Sequence, residues 1–193
     1  MRRWLNRVLL IVTVLGLAAC GQQFNTTDVT GAAYGPGLHL HDHNGQMRSL
    51  ADFKGKAVVI FFGYTNCPDV CPTSLAMLMQ VMQQLGPDAS RVQVLFVTVD
   101  PGRDTPERLK QYVGAFNPAF LGLTGSEAEI ATVAHEFKVI YEKHGDIASG
   151  RYSVDHTAGC FIFDPQGRAR LFARHGETAE RITADLKRLL AGA

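Results

Sequence analysis

The chain has 193 residues, of which 46% are hydrophobic and 19% are charged, and this composition is typical of one globular domain with a short appendage. A domain of this size buries enough apolar surface to fold without a disulfide framework or a structural metal. The formal net charge is +1, and nothing in this charge balance suggests a nucleic-acid-binding protein.

The N-terminus is typical of a secretory signal peptide. Three arginines precede an apolar run over residues 8–19, which is too short to cross a membrane comfortably. The run ends in Leu-Ala-Ala-Cys-Gly at residues 17–21, which resembles the lipoprotein box of bacteria, where cleavage precedes a lipid-modified cysteine. We predict a signal peptide over residues 1–19 and an extracytoplasmic lipoprotein anchored to the membrane through Cys20, on the periplasmic face in a Gram-negative cell. An uncleaved apolar anchor is the alternative.

A polar stretch follows the predicted cleavage site. Residues 20–36 are rich in Thr, Gly and Gln and lack periodicity, so we expect them to tether a domain over residues 37–193 to the membrane. Leu38 and Leu40 alternate with histidines as in a strand, and the following Asn44-Gly45 favours a tight turn. The domain is therefore predicted to begin with a β-hairpin.

The middle of the chain alternates between strand and helix patterns. A continuous apolar run over residues 57–62 predicts a buried central strand, and residues 92–99 predict a second one. Between them, residues 70–85 carry apolar side chains at helical spacing. Two further helices begin at recognisable caps, which are Thr105 before Pro106 and Ser126 with Glu129 three residues later.

The last third of the chain predicts a hairpin and a closing helix. Strands are expected around residues 139–142, 159–164 and 171–173, with a turn at 164–167 and an amphipathic helix over 178–190. This order of elements favours an α/β fold, namely a thioredoxin-like three-layer α/β/α sandwich with a central mixed sheet.

Cys67 and Cys71 lie between the first central strand and its helix, at the strand end where function gathers in open α/β sheets. The backbone N–H groups at a helix start favour thiolate over thiol, and thiolates are both nucleophiles and soft metal ligands. Three intervening residues spread the two sulfurs and suit a metal. A structural disulfide is the alternative.

Two sulfurs rarely complete a metal site, and His156 is the candidate for a third ligand. It precedes the strand of the late hairpin, and in a thioredoxin-like topology that loop faces the cysteine loop. A site of two cysteines and one histidine suits copper, whereas structural zinc usually takes four protein ligands. A purely structural histidine is the alternative.

Three segments with these residues resemble the SCO/SenC family of copper chaperones in order and in spacing; they are residues 52–72, 99–106 and 154–157. The resemblance extends from about residue 38 to the C-terminus. It implies a thioredoxin-like fold and one Cu(I) or Cu(II) per chain, bound by Cys67, Cys71 and His156. It also implies delivery of copper to the binuclear centre of cytochrome c oxidase or to another acceptor. Many relatives have histidine where this chain has Asn66, but that position is not a ligand in the family.

Three acidic residues are candidates for supporting roles next to the metal ligands. Asp100 and Asp104 belong to the acidic loop of the family, and an acid there could orient His156 or sense the charge of copper. Turn formation and helix capping are the alternative roles. Asp155 is a candidate weak axial ligand, although its position next to His156 favours a side chain that points away.

Two further features remain open on sequence alone. Alternating residues share one face of a strand, so His39, His41 and His43 lie on the same face. They form either an auxiliary metal site or a solvated edge. Cys160 lies in an apolar setting and is interpreted as a buried, inert thiol.

Two functions compete for the same cysteine pair. Copper delivery is the first, and the second is a thiol–disulfide oxidoreductase in which Cys67 and Cys71 are the redox pair and reduce an oxidase subunit or another envelope protein. Thioredoxin-type enzymes carry CxxC and a proline before the late strand, whereas this chain has CxxxC and His156 there. These differences favour copper binding, with oxidation of the pair as a means of releasing the metal.

Overall fold

The computed structural model of the protein describes residues 24–193. The predicted signal peptide and Cys20 lie outside these residues. Within residues 24–193, no helix is both long enough and apolar enough to cross a membrane.

The described residues form ten strands, four α-helices and two short 3₁₀ helices. The strands are β1 (Thr27–Asp28), β2 (Leu40–Asp42), β3 (Met47–Arg48), β4 (Ala57–Gly63), β5 (Val92–Thr98), β6 (Leu121–Thr124), β7 (Tyr141–Asp146), β8 (Arg151–His156), β9 (Gly159–Phe163) and β10 (Ala169–Arg174). The α-helices are α1 (Val70–Leu85), α2 (Pro106–Phe116), α3 (Glu127–Glu136) and α4 (Ala179–Leu190). The 3₁₀ helices are Leu50–Phe53 and Gly86–Arg91.

Eight of the strands form a mixed sheet in the order β1-β10-β9-β4-β5-β6-β2-β3. Strands β4 and β5 pair in parallel, and helix α1 makes the crossover between them. Every residue of β4 is buried, which explains its continuous apolar sequence. Strand β9 pairs antiparallel to β4, and the predicted hairpin of β2 and β3 joins the opposite side through β6.

Helices cover both faces of this sheet. On one face the ring of Phe61 packs 6.0 Å from that of Phe96, which contacts Tyr112 of α2. Helices α1 and α4 pack against each other on that same side. On the other face Phe62 packs against Phe137, the residue that follows α3. The molecule is thus a thioredoxin-like three-layer α/β/α sandwich, as predicted.

The helix starts were predicted correctly from local signals. Helix α1 has the predicted bounds, and the Thr105 hydroxyl caps α2 by accepting a hydrogen bond from the Arg108 N–H at 3.3 Å. Both halves of the predicted capping box between Ser126 and Glu129 are present at the start of α3. These predictions are confirmed because caps depend on residues three positions apart.

Three strands, β1, β6 and β8, were not predicted, and each lacks a long apolar run. Strand β6 has only four residues. Strand β8 has three exposed residues out of six and pairs only with β7, in a two-stranded sheet separate from the main one. Strand β7 itself begins at Tyr141, two residues later than expected, and extends to Asp146.

The segment predicted as a tether is packed against the domain from Phe24 onwards. Strand β1 pairs with β10, and four donor groups of Asn25 and Thr26 lie 2.8–3.0 Å from the carboxylate of Asp185. Asp185 is fully buried within α4. Residues 24–36 therefore differ from the expected free tether, because a long-range contact that leaves no local pattern holds them.

We predict that Asp185→Ala destabilises the protein by about 2–4 kcal/mol, because four donors lose a charged acceptor. Urea unfolding followed by circular dichroism measures the change. Asp88→Ala is the matched control, since Asp88 forms an exposed pair with Arg91, and its effect should stay within about 0.5 kcal/mol. Equal stability of the Asp185 variant and the control would contradict the role given to this contact.

Candidate metal centre

Three predicted ligands converge at the carboxyl end of β4. Cys67 lies in the loop after β4, Cys71 in the first turn of α1, and His156 at the last position of β8. Their ligand atoms, two Sγ and one imidazole nitrogen, all lie within 4.8 Å of one another. No other group of three or more His, Cys, Asp or Glu side chains within residues 24–193 has this arrangement.

Cys67 is the more accessible of the two sulfurs and is half-buried. Its Sγ accepts a hydrogen bond from the Cys71 backbone N–H at 3.4 Å, and its own N–H donates to the Tyr64 carbonyl at 3.3 Å. The start of α1 therefore directs a backbone dipole at Cys67, as expected for a thiolate or metal ligand.

Cys71 is fully buried, with its Sγ 3.4 Å from Nε2 of His156. Burial raises the pKa of this thiol well above its ordinary value. The sequence predicted instead that the helix start lowers the pKa of both cysteines. For Cys71 this prediction is wrong. Its side chain faces the core, and the loss of hydration there raises the pKa more than the helix start lowers it.

Gly63 makes the position of Cys71 possible. A Cβ atom at Gly63 would lie 2.7 Å from the Cys71 Sγ and 2.9 Å from the Phe96 ring. Such contacts are too close for any side chain, so the last residue of β4 has to be glycine for the sulfur to occupy this place. The sequence analysis missed this role, although a glycine that ends a buried strand is the signal for it.

His156 is held with Nε2 towards the cysteines. Its Nδ1 lies 3.2 Å from the Thr157 carbonyl, so Nδ1–H donates there and Nε2 is left with its lone pair. The rings of Phe61 and Tyr64 pack edge-on against the imidazole. Burial lowers the pKa of His156 and favours the neutral ring that a metal requires.

The two acids of the loop after β5 are buried and act on different parts of the site. Asp104 accepts hydrogen bonds from the Thr65 hydroxyl and the Thr98 hydroxyl, both at 2.6 Å, and so fixes the loop that carries Cys67. Burial raises the pKa of Asp104. Asp100 accepts from the Tyr152 hydroxyl at 2.6 Å. The hydrogen bond described for the His156 ring goes to Thr157, so a direct role of either acid in orienting the ring stays a prediction.

The remaining candidates lie away from the three ligands. The Asp155 carboxylate is 81% exposed and lies 3.4 Å from Nε2 of His144, so it points away as its position suggested. His39 and His41 are exposed, while His43 uses Nδ1 to accept the Gly122 N–H at 3.1 Å. Cys160 is buried, as predicted, and burial raises its pKa to about 12.

The fold and these side chains define a thioredoxin-like protein with a site of two cysteines and one histidine. The family model described as SCO1/SenC matches residues 26–191. The chain belongs to the SCO1/SenC family.

Relatives of known sequence or structure agree with this assignment. The mitochondrial protein SCO2 homolog of Homo sapiens is 39% identical over 173 residues, which are 88% of this chain. The match spans 65% of the human protein, slightly less than two thirds of its length. A structure of ScoI from Bradyrhizobium japonicum with copper bound is 43% identical, with a TM-score of 0.75, and the match covers 81% of this chain and 99% of that one. A SCO1/SenC family lipoprotein from Bacillus anthracis is 25% identical, with a TM-score of 0.73, over 86% of this chain and 99% of the other.

We predict that iodoacetamide labels Cys67 at least about tenfold faster than Cys71 or Cys160 in the reduced, metal-free protein near pH 8. Cys67 is half-buried, whereas the other two thiols are buried and have raised pKa values. Labelling of Cys71 should accelerate as the pH rises towards its pKa. Mass mapping of time points measures the three rates, and preferential labelling of Cys71 would contradict the geometry described.

Proposed function

We propose that this protein binds one copper ion through Cys67, Cys71 and His156 and delivers it to the binuclear copper centre of cytochrome c oxidase. The observation that carries the proposal is the convergence of the three ligand atoms within 4.8 Å. Two thiolates and an imidazole suit both Cu(I) and Cu(II). The copper-bound relative from Bradyrhizobium japonicum supports the choice of metal.

The surroundings of the ligands fit a metal that enters and leaves. Copper has to displace the proton of Cys71, and the neutral Nε2 of His156 at 3.4 Å supplies a donor for the same metal ion. Cys67 opens onto a surface pocket of about 310 Å³, whose other walls include Pro68, Val154 and His156. A partner can approach Cys67 and His156 from this pocket while Cys71 stays inaccessible.

The alternative function, a thiol–disulfide oxidoreductase, is less favoured by this geometry. Thioredoxin-type enzymes carry CxxC and a proline before the late strand, whereas here His156 occupies that place, with its Nε2 3.4 Å from the Cys71 Sγ, where it completes a set of metal ligands. Cys67 and Cys71 are free thiols in the structure. Their oxidation to a disulfide would remove both sulfur ligands at once, which makes the redox state of the pair a way to release copper.

Anaerobic titration with Cu(I) and Cu(II) tests the proposal. The reduced protein should bind one copper, and Cys67→Ala or Cys71→Ala should abolish binding of Cu(II). His156→Ala should weaken Cu(II) by on the order of 100-fold but Cu(I) by less than about tenfold, since two thiolates hold Cu(I) in linear geometry. Cys160→Ala is the control and should bind like the unchanged protein. Undiminished Cu(II) binding by the His156 variant would remove that residue from the site.

We further propose that the protein is an extracytoplasmic lipoprotein whose lipid is attached to Cys20. The sequence at residues 17–21 supports this proposal, as does the relative from Bacillus anthracis that is described as a lipoprotein. Mass spectrometry should find acyl groups on Cys20 as the first residue of the mature chain. Cys20→Ser should lose that acyl mass and the signal-peptide cleavage. An unmodified Cys20 in the membrane fraction would contradict the proposal.

A further inference from the structure

His156 is carried by an element that is weakly supported. Strands β7 and β8 pair only with each other, and Val154 is the only fully buried residue of the sixteen from 141 to 156. A two-stranded hairpin is marginally stable by itself. Contacts with the rest of the domain therefore have to hold it where His156 meets the cysteines.

Arg103, from the loop after β5, makes the densest of these contacts. Its Nη1 donates hydrogen bonds to the Tyr152 carbonyl at 2.9 Å and the Gly150 carbonyl at 3.2 Å. Its guanidinium carbon lies 3.5 Å from the centre of the Tyr152 ring, in a cation–π stack. Its Nε donates to Asp100, which also accepts the Tyr152 hydroxyl. The Arg103 side chain thus contacts the backbone of the hairpin, the Tyr152 ring, and the carboxylate that accepts the Tyr152 hydroxyl.

Arg103 also reaches the other side of the site. Its guanidinium carbon lies 5.7 Å from the centre of the Tyr64 ring, and Tyr64 packs edge-on against His156 with ring centres 6.1 Å apart. The Arg103 side chain is only 16% exposed. It lies between the loop that leads to Cys67 and the strand that leads to His156.

We propose that Arg103 is a positioning residue that fastens the β7–β8 hairpin to the domain and so places His156 over the two cysteines. This inference rests on the proposed copper site. The planar guanidinium is required, because lysine offers one charged point, cannot stack in the same way and cannot bond two carbonyls and a carboxylate together.

The Tyr64 side chain also forms a hydrogen bond with the Val154 backbone, and two further contacts support the hairpin away from the middle of β8. Lys143 lies 3.6 Å from Asp100 and 3.0 Å from Glu127, which anchors β7 rather than the strand of His156. At the base of the hairpin, the Thr157 N–H donates to the Ile140 carbonyl at 2.9 Å. Neither contact restrains the middle of β8.

The test compares Arg103→Lys with Arg151→Lys in the full-length protein. Arg151 is the matched control, since it lies on the same hairpin, pairs with Asp146 and is 81% exposed. Hydrogen exchange in the metal-free protein should become on the order of tenfold faster over residues 141–156 in the Arg103 variant alone. Exchange in β4 and β5 should be unchanged, which shows that the variant is folded.

Electron paramagnetic resonance of the Cu(II) form provides the second readout. The Arg103 variant should give a heterogeneous spectrum with weaker nitrogen coupling from His156, while it still binds one Cu(I) through the cysteines. Tyr152→Leu, which removes the ring and hydroxyl from the hairpin side, should reproduce both effects.

Unchanged exchange in both the Arg103 and the Tyr152 variants would overturn the inference, as would a normal Cu(II) spectrum in both. A protein that binds no copper in any form would refute the proposed function instead. The exchange experiment would still decide whether Arg103 holds the hairpin, because it needs no metal.

Discussion

The site depends on the close contact between the Cys71 sulfur and the end of strand β4. The sulfur fills the volume that a side chain at Gly63 would take, and the ring of Phe96 closes the same space. This contact fixes one ligand inside the most buried part of the sheet, where every residue of β4 is inaccessible. The position of the first turn of α1 follows from it, and so does the direction of the N–H that reaches Cys67.

The three ligands come from parts of the molecule that differ in how firmly they are held. The cysteines belong to the central sheet and its first helix, whereas His156 arrives on a hairpin that pairs only with itself. A metal bound to all three ligands would join the central sheet to the hairpin, so part of its binding free energy would be used to order the hairpin. Conversely, a partner that draws His156 away leaves a two-sulfur site suited to Cu(I). Ligands that are held with unequal firmness would suit the proposed release of the metal to an acceptor.

Sequence reasoning succeeded where short-range rules decide the structure. The two central strands, the bounds of α1 and the capping box at Ser126 and Glu129 follow from runs and spacings of a few residues. The cysteine pair and His156 were found by chemistry and by resemblance to the family, and the structure brings them together.

The failures have one physical origin, which is that they concern contacts between distant parts of the chain. The raised pKa of Cys71 is a consequence of burial and cannot be inferred from its place at a helix start. Strand β8 is held through polar groups, by Arg103 and Asp100, rather than through an apolar face. It therefore has too few apolar residues to be recognised as a strand from the sequence. The strand at residues 27–28 lies in a stretch without periodicity and is fixed by pairing with β10, 140 residues or more away in the chain.

The hydrogen bonds that Asp185 accepts from Asn25 and Thr26 would set the length of the linker between the proposed lipid anchor and the domain. With Cys20 lipidated as proposed, five peptide units separate the lipid-modified residue from Asn25, the first residue that Asp185 holds. A chain of that length reaches at most about 18 Å. The domain would then stay near the membrane surface while it diffuses laterally, and its copper would pass to acceptors whose metal centres lie close to the same bilayer.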